Sequence, residues 1–354
     1  MQKRQLTIPE VQAFLQAHHR APVTDIEALR GGYWSAAYAY RLDGRELVVR
    51  FGASREGYDM DQAAMVFDRP GLPVPEVLHV GEALGGAFAI SVRHHGRFLE
   101  DIDAGEAEVV APAMDRLFAA LRANVAPMSA RPDWAGSVDP SPATWRHWLE
   151  LGLADPPTWP NHGWRASLAH HPEADRVFRA CEERLMRLWD ACPERRDLVH
   201  SDLLHQNVLL SDAGDEVTAV FSWKLSMHGD FLWDVAWCSL WSPWHPGVAA
   251  LDLYRRTVAA PDLTATDLED AEVRHTAYML QIGAQHLGWN AWRGDVDILR
   301  QVVTRTEEVL ESAPTSPPTP RPVVRRQGLP VGRPQAAGLE VGGACGDRPE
   351  CADG

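Results

Sequence analysis

Residues 198–223 read LVHSDLLHQNVLLSDAGDEVTAVFSW, and this stretch decides the fold. Its first ten residues contain His200, Asp202 and Asn207, with the apolar run LVH before them and NVLL after them. Short apolar runs bounded by polar residues are typical of buried strands, so we expect a polar loop held between two strands. The segment SDAGDEV then predicts a hairpin turn, and VTAVFSW predicts the next strand.

The spacing of His200, Asp202 and Asn207 gives this loop a chemical meaning. It reproduces the pattern H-x-D-L-x-x-x-N of kinase catalytic loops, in which the aspartate accepts the proton of the attacking hydroxyl and the asparagine binds magnesium. Taken singly, Asp202 could cap a turn, His200 could be a core histidine, and Asn207 could bond its own backbone. The joint spacing and the flanking strands favour the catalytic interpretation.

The sequence before this loop has patterns that predict strands and helices. Thr7 and Glu10 form a capping box in front of a first helix. Asp43-Gly44 marks a hairpin between the strand-like runs IEALRGGYWSAAYAYRL and RELVVRF. YDMDQAAMVFDR predicts a helix, and LPVPEVLHVGEA and GAFAISVRHHG predict further strands, whereas helical periodicity dominates from Glu108 onward.

These elements predict an α+β fold in two lobes. A small β-rich N-terminal lobe is expected in residues 1–92 and a larger, mainly helical C-terminal lobe in residues 93–312. Residues 313–354 are rich in Pro and Gly with almost no large apolar side chains, so this tail is expected to be disordered.

Composition and charge exclude several classes of protein. The 354 residues are 45% apolar, which is sufficient for a folded core, and the formal charge of -15 argues against a nucleic-acid partner. A cationic ligand suits this charge, although solubility alone would also explain it. No apolar run follows Lys3 and Arg4, so no signal peptide or membrane span is predicted and cytoplasmic residence is expected. The five cysteines lack metal-site spacing and are expected to be reduced thiols.

Five segments carry a resemblance to a known family: LVHSDLLHQNVL, VTAVF-x-W in which x is residue 222, GDFLWDVAW, LPVPEVLHVGE near residue 72 and YMLQIGAQHL near residue 278. They resemble the aminoglycoside phosphotransferases, and most closely the branch that contains hygromycin B phosphotransferase, over roughly residues 5–310. The resemblance implies a protein-kinase-like bilobal fold with ATP and Mg²⁺ in the cleft between the lobes. It also implies phosphorylation of a hydroxyl of a cationic aminoglycoside such as hygromycin B, which would confer antibiotic resistance, by a protein expected to be a monomer.

The resemblance also assigns roles to residues of the cleft. Asp202 would be the catalytic base, His200 of the same motif would also be a catalytic residue, and Asn207 would be a magnesium ligand. Arg50 in LVVR stands where the family places a phosphate-binding lysine, and its guanidinium can pair with phosphate oxygens. Its partner on the following helix would be Asp61 or Asp59.

The loop over the phosphates would be GGYWSAAY. Gly31, Gly32 and Ser35 are the expected nucleotide contacts there, although the segment lacks the full pattern G-x-G-x-x-G. Residues 91–93 would form the hinge between the lobes.

Ser222 departs from the family pattern, which has an aspartate immediately before Trp223. A carboxylate binds magnesium better than a hydroxyl, so a rate loss of about 10²–10⁴ is expected. A pseudokinase that binds without turnover is therefore an alternative. If residues 222 and 224 lie on one strand, they face the same way. We hypothesise that Lys224 then replaces part of the missing metal charge beside the phosphates, the alternative being that it points to solvent.

A polycationic sugar substrate needs carboxylates, aromatic walls and hydrogen-bonding groups near the base. The candidates in the helical part of the chain are Asp234, Trp241, Gln285 and Asn290, although Asp234 could instead brace the catalytic loop. A kinase of a small metabolite remains a further alternative, which a basic or neutral substrate cleft would favour.

Overall fold

The computed structural model describes residues 6–30, 34–133, 142–159 and 161–314. The predicted phosphate contacts Gly31 and Gly32, and nearly all of the tail predicted to be disordered, lie outside these ranges. Within them, no helix combines the length and the apolar composition needed to cross a membrane.

The strands of the described residues form three sheets. Their bounds are Thr24–Leu29 (β1), Ala36–Leu42 (β2), Arg45–Gly52 (β3), Val77–Ala83 (β4), Gly86–Val92 (β5), Arg97–Phe98 (β6), Asp197–Val199 (β7), Val208–Leu210 (β8), Val217–Val220 (β9) and Met227–Gly229 (β10). The first five form one antiparallel sheet in the order β1-β2-β3-β5-β4. The others form the sheets β6-β8-β9 and β10-β7.

The hairpin predicted at Asp43-Gly44 joins β2 to β3. Leu42 pairs directly with Arg45, so only two residues make the turn. Asp43 and Gly44 have φ values of 48° and 79°, as a two-residue turn with left-handed central residues requires. The strand-like run before this turn divides into two strands, β1 and β2.

The helices of the described residues lie mostly after the five-stranded sheet. Their bounds are Ile8–His19 (α1), Glu56–Ala63 (α2), Ala107–Arg122 (α3), Trp145–Leu151 (α4), Trp164–Ala169 (α5), Pro172–Leu188 (α6), Leu232–Trp241 (α7), Pro246–Ala250 (α8), Leu253–Val258 (α9), Ala271–Arg293 (α10) and Val296–Ser312 (α11). The capping box of Thr7 and Glu10 begins α1, as predicted. The predicted second helix continues after α2 as a 3₁₀ turn, Ala64–Phe67.

Two hydrophobic cores organise the molecule. Val11 and Leu15 of α1 pack with Phe51 and Ile90 of the five-stranded sheet. A larger core joins α3 through α11, and within it α10 packs against α5, α6, α7 and α11. These cores confirm the predicted α+β fold, with a β-rich lobe followed by a mainly helical lobe, whereas the boundary between residues 92 and 93 stays a prediction.

One close approach in the larger core requires a glycine. Gly288 of α10 lies against the ring of Trp164 in α5, where a Cβ atom would come within 2.4 Å of a ring carbon. Any larger residue would therefore push α5 away from α10.

The predicted polar loop, residues 200–207, lies between β7 and β8. Both strands are buried, and they belong to different sheets, because β7 pairs with β10 whereas β8 pairs with β6 and β9. The loop therefore lies between two buried strands, as the runs LVH and NVLL predicted. Each strand belongs to a separate sheet, which fixes the loop at both ends.

Candidate active site

Asp234, in the first turn of α7, holds the start of the loop formed by residues 200–207. Its two carboxylate oxygens accept hydrogen bonds from the backbone N–H of His200 (2.8 Å) and of Ser201 (2.7 Å). Burial raises the pKa of Asp234 to about 7, although the two backbone N–H groups act in the opposite direction. Because the side chain is buried beneath the loop, the structure favours the bracing role over the predicted contact with substrate.

His200 links the loop of residues 200–207 to the segment that follows β9. Its Nδ1 accepts from the backbone N–H of Asp202 (3.2 Å), so the proton lies on Nε2, which donates to the carbonyl of Phe221 (2.8 Å). Burial lowers the pKa of this ring, which keeps it neutral. His200 therefore positions its neighbours and has no free nitrogen for proton transfer.

Asp202 presents a partly exposed carboxylate between two side chains. Its Oδ2 accepts from Nδ2 of Asn207 (2.9 Å), and the same Nδ2 donates to the backbone carbonyl of Asp202 (2.8 Å). Its Oδ1 lies 2.7 Å from Nδ1 of His205. Burial lowers the pKa of His205, but the hydrogen bond and charge of Asp202 outweigh it and the pKa is raised. The motif thus brings together the base and the amide that were predicted from its spacing.

Glu100 supports the far end of the same loop. Its Oε1 accepts from the backbone N–H of Gln206 (2.5 Å). Gln206 and His205 have φ values of 68° and 63°, a backbone region that costs energy for residues other than glycine. The bond from Glu100 helps to hold this strained turn, and burial raises the pKa of its carboxyl group.

The predicted ion pair of Arg50 forms with Asp61 on α2. Nη2 of Arg50 lies 2.6 Å from Oδ2 of Asp61, and the two side chains are 18% and 7% exposed. The other oxygen of Asp61 accepts from the backbone N–H of Trp223 (2.8 Å). Asp59, the alternative partner, pairs with Arg55. Asp61 therefore joins β3, α2 and the segment after β9.

Ser35 lies next to Tyr58. The ring of Tyr58 is centred 5.1 Å from the guanidinium carbon of Arg50. Of the three residues predicted for the loop over the phosphates, Ser35 is the one in the described residues, and it lies in the neighbourhood of Arg50.

The prediction that Ser222 and Lys224 share one face of a strand is wrong. The strand β9 ends at Val220, Ser222 has φ 66° and ψ 62°, and a 3₁₀ turn follows at Trp223–Leu225. Nζ of Lys224 pairs with Oε2 of Glu56 at 2.8 Å, and the side chains are 48% and 51% exposed. The charge of Lys224 thus has an exposed carboxylate partner on α2, and its role in place of the metal charge stays a prediction.

Aromatic rings surround His205 on the side of α7. The rings of Trp237 and Trp241 are centred 5.9 and 5.6 Å from His205, and 5.4 and 4.8 Å from His286 of α10. Trp241, predicted as a substrate contact, is therefore close to His205, the side chain that bonds Asp202. The indole N–H groups of both tryptophans are buried and have no hydrogen-bond partner within the described residues.

Gln285 and Asn290 contact other parts of the helical lobe. Nε2 of Gln285 lies so close to Gly152, after α4, that a Cβ atom there would be 2.2 Å away. Asn290 is buried and donates through Nδ2 to the carbonyl of His286 on its own helix (2.8 Å). The structure gives these two residues packing and helix contacts, and the roles predicted for them in substrate binding gain no support from it.

A family model described as the phosphotransferase enzyme family matches residues 25–267. The chain belongs to this family. A hygromycin-B 4-O-kinase from Escherichia coli is 30% identical to it over 322 residues, which cover 88% of each sequence. The resemblance stated from the sequence motifs is thereby confirmed.

Solved structures of the phosphotransferase family resemble the fold closely. A thermostable mutant of aminoglycoside phosphotransferase APH(4)-Ia, in a ternary complex with AMP-PNP and hygromycin B, superposes with a TM-score of 0.71 at 27% identity, covering 86% of this chain and 98% of the other. The GDP complex of aminoglycoside 2'-phosphotransferase-IIIa superposes with a TM-score of 0.55 at 15% identity, covering 87% and 99%. This second likeness shows the protein-kinase-like fold alone.

In this phosphotransferase, the two predicted metal ligands are neutral oxygens. Because Nδ2 of Asn207 donates to Asp202, its Oδ1 is the atom left for a metal, and Ser222 offers a hydroxyl. Within the part of the chain that the structure describes, no three His, Cys, Asp or Glu side chains are grouped as a metal site. Mg²⁺ commonly binds through few protein ligands together with substrate phosphates and water. These ligands therefore fit an ion carried by nucleotide phosphates better than one held by protein alone.

Two residues of the candidate site were missed from the sequence. His205 stands three residues after Asp202 inside the motif, so its position was a usable signal. Glu100 bonds Gln206 across 106 residues, and no local pattern marks it.

Proposed function

We propose that this phosphotransferase transfers the γ-phosphoryl group of ATP to a hydroxyl of an aminoglycoside, with hygromycin B as the model substrate, and so confers resistance. The observation that carries the proposal is the carboxylate of Asp202, partly exposed and fixed between Asn207 and His205. The curated relative named hygromycin-B 4-O-kinase and the APH(4)-Ia complex with hygromycin B support the choice of substrate.

Phosphoryl transfer needs a base beside the attacking hydroxyl and a cation beside the phosphate oxygens of the nucleotide. The substrate oxygen bonds to the γ-phosphorus as the bond to the β-phosphate oxygen breaks, ADP leaves, and the hydroxyl proton passes to Asp202. Arg50 would pair with phosphate oxygens, oriented by Asp61, and both are largely buried. Residues 1–92 would thus hold the nucleotide, and residues 93–312 would supply the base and the substrate site.

Magnesium, bound by Asn207 and Ser222 together with the phosphates, would neutralise charge on the nucleotide. The substitution of a hydroxyl for a carboxylate at Ser222 would slow the reaction without removing the base. The negative formal charge of -15 favours a cationic substrate over a phosphorylated one.

The test is ATP turnover by the purified full chain, with magnesium, against a panel of aminoglycosides and neutral sugars. We expect product with hygromycin B and a fall in kcat of about 10²–10⁴ in Asp202→Asn, because the substrate proton loses its acceptor. Asp190→Asn, which removes a surface carboxylate paired with Arg146, is the matched control and should behave as wild type. Phosphorylation of a neutral sugar in place of any aminoglycoside would instead identify a metabolite kinase.

Ser222 favours one second candidate, a pseudokinase. Such a protein would bind ATP without regard to magnesium and form no product with any member of the panel. Calorimetric titration of ATP with and without magnesium, run beside the turnover assay, separates this candidate from an active kinase.

A further inference from the structure

Two side chains reach from the β-rich lobe to the helical lobe within one short segment of the chain. Arg30 follows β1 directly and Trp34 stands two residues before β2, so the five-stranded sheet carries both. Each side chain contacts residues that lie beyond β5 in the sequence. The segment therefore makes two bridges between the sheet and the helical lobe.

The first bridge joins Trp34 to α10. The ring of Trp34 is centred 5.9 Å from the ring of Trp289, at an interplanar angle of 57°. The guanidinium carbon of Arg293, about one turn further along α10, lies 5.9 Å from the centre of each of these rings. Aromatic rings attract each other and a cation at such distances. Trp34, Trp289 and Arg293 thus form an aromatic clasp between the lobes.

The backbone of Trp34 lies close to the residue proposed to bind phosphate. A Cβ atom at Gly52 would be 3.7 Å from the carbonyl oxygen of Trp34, so the main chain of Trp34 lies against the end of β3. Arg50 stands two residues earlier on the same strand. The aromatic clasp therefore connects α10 to the part of the sheet that carries Arg50.

The second bridge joins Arg30 to two segments of the helical lobe. Nη1 of Arg30 donates to both carboxylate oxygens of Asp101 (3.0 and 2.8 Å). When the amide of Gln206 is turned with its oxygen toward Arg30, it accepts from Nε and Nη2 (3.0 and 3.2 Å). Gln206 belongs to the loop of residues 200–207, which also carries Asp202. Arg30 therefore ties the end of β1 to the loop of the proposed base.

Both bridges are exposed to solvent. Trp34 is 54% exposed, and the side chains of Arg30 and Asp101 are 61% and 36% exposed. Among the described residues, Trp34 and Trp289 belong to neither hydrophobic core. Exposed ion pairs and single ring contacts are weak. The two bridges can therefore break and re-form while both cores stay folded.

We propose that the aromatic clasp and the bridge of Arg30 hold the two lobes together around a bound nucleotide and must open before ADP leaves. The bridges thus slow the release of ADP after phosphoryl transfer, a step that limits turnover in many enzymes with closing elements. This inference rests on the proposed function, because it takes a nucleotide to bind beside Arg50. It goes beyond that function by naming the contacts that control nucleotide exchange, in which Trp34 and Arg30 act as positioning residues.

The test follows the release of a fluorescent nucleotide from the full chain. ADP that carries an N-methylanthraniloyl group is bound in the presence of magnesium and displaced by excess unlabelled ADP in a stopped-flow fluorimeter. The decay gives the dissociation rate constant for wild type, Trp34→Ala, Trp289→Ala and the double variant. Leu84→Ala is the control, because it truncates another exposed apolar side chain, in the turn between β4 and β5. A thermal melt checks that each variant folds.

We expect Trp34→Ala and Trp289→Ala each to release the nucleotide about threefold to tenfold faster than wild type, since both remove the same ring contact. The double variant should be less than about twofold faster than the faster single variant, because the contact is already lost. Leu84→Ala should match wild type. Increases that multiply in the double variant, or wild-type rates in both single variants, would overturn the proposal.

A conservative variant tests the role of the ring. Trp34→Phe keeps an aromatic ring for Trp289 and should release the nucleotide within about twofold of the wild-type rate. If Trp34→Phe is as fast as Trp34→Ala, the ring contact does not hold the lobes and the aromatic clasp is overturned.

The bridge of Arg30 is tested separately. Arg30→Gln should release the nucleotide about twofold to fivefold faster, the usual range for an exposed ion pair. Arg41→Gln, whose pair with Glu46 lies within the sheet, is the matched control. An unchanged rate in Arg30→Gln would overturn the part of the proposal that concerns Arg30. If wild type and Leu84→Ala bind no labelled ADP, the proposed function fails and the proposal with it, an outcome distinct from normal binding with unchanged release.

Discussion

Ser222 has a hydroxyl where the family pattern has a carboxylate, and its backbone is left-handed. Its φ of 66° lies in the left-handed region, which Asp and Asn adopt more readily than most other residues. The position thus retains the backbone that suits an aspartate, although it carries a serine. A change to aspartate therefore needs no rearrangement of the main chain.

We therefore predict that Ser222→Asp raises kcat by about tenfold or more, since a carboxylate adds charge and affinity for magnesium. It should also lower the magnesium concentration required for half-maximal rate. Steady-state assays over a magnesium series measure both. Ser222→Ala is the matched control for the hydroxyl, and a Ser222→Asp variant no faster than wild type would contradict the prediction.

At the scale of elements, a buried ion pair ties α10 to the segment before α7. Nη2 and Nε of Arg274 lie 2.7 and 2.8 Å from the carboxylate oxygens of Asp230, and both side chains are almost fully buried. The hydroxyl of Tyr278 donates to the same carboxylate (2.7 Å). The backbone N–H of Leu232 donates to it as well (3.1 Å), so this carboxylate joins α10 to the start of α7.

We predict that Arg274→Leu lowers the free energy of unfolding by about 3–5 kcal/mol, because it leaves the carboxylate of Asp230 buried without a cation. Urea unfolding followed by circular dichroism measures the change. Arg176→Leu breaks an exposed pair with Glu307 and should cost less than about 1 kcal/mol. Equal losses in the two variants would show that burial does not determine the effect.

Local sequence patterns predicted the helices and strands and the residues of the loop 200–207. They did not predict contacts between residues far apart in the sequence. The spacing of Asp202 and Asn207 was sufficient because both lie on one short loop between buried strands. The pair of Arg50 and Asp61 followed from the family pattern. Lys224 was misplaced because the strand was extended past Val220, where one left-handed residue redirects the chain. The bond from Glu100 to Gln206 depends on tertiary folding, which periodicity does not encode.

At the scale of the whole molecule, several histidines are kept neutral by burial. Burial lowers the pKa of His275 to about 3, and it also lowers the pKa of His200 and His286. Nε2 of His275 lies 2.9 Å from the hydroxyl of Ser239. Because the unfolded chain binds protons near pH 6.5 and the folded chain does not, stability is intact above that pH and falls as the pH falls toward 3.

We predict that His275 alone makes the fold about 2 kcal/mol less stable at pH 5 than at pH 7, relative to a side chain that does not titrate. His275→Gln should therefore show a shallower loss of unfolding free energy between these pH values than wild type. Chemical unfolding at a series of pH values measures the difference, and His170→Gln controls for the loss of an exposed imidazole. Parallel curves for wild type and His275→Gln would contradict the assignment.

The bond from the N–H of Trp223 to Asp61 has a consequence for hydrogen exchange. While Asp61 accepts this bond, the peptide hydrogen of Trp223 is shielded from the solvent and exchanges for deuterium only when the segment after β9 separates from α2. Since Asp61 also pairs with Arg50, the exchange rate of this one amide reports how often the segment that carries Ser222 separates from the ion pair of Arg50 and Asp61.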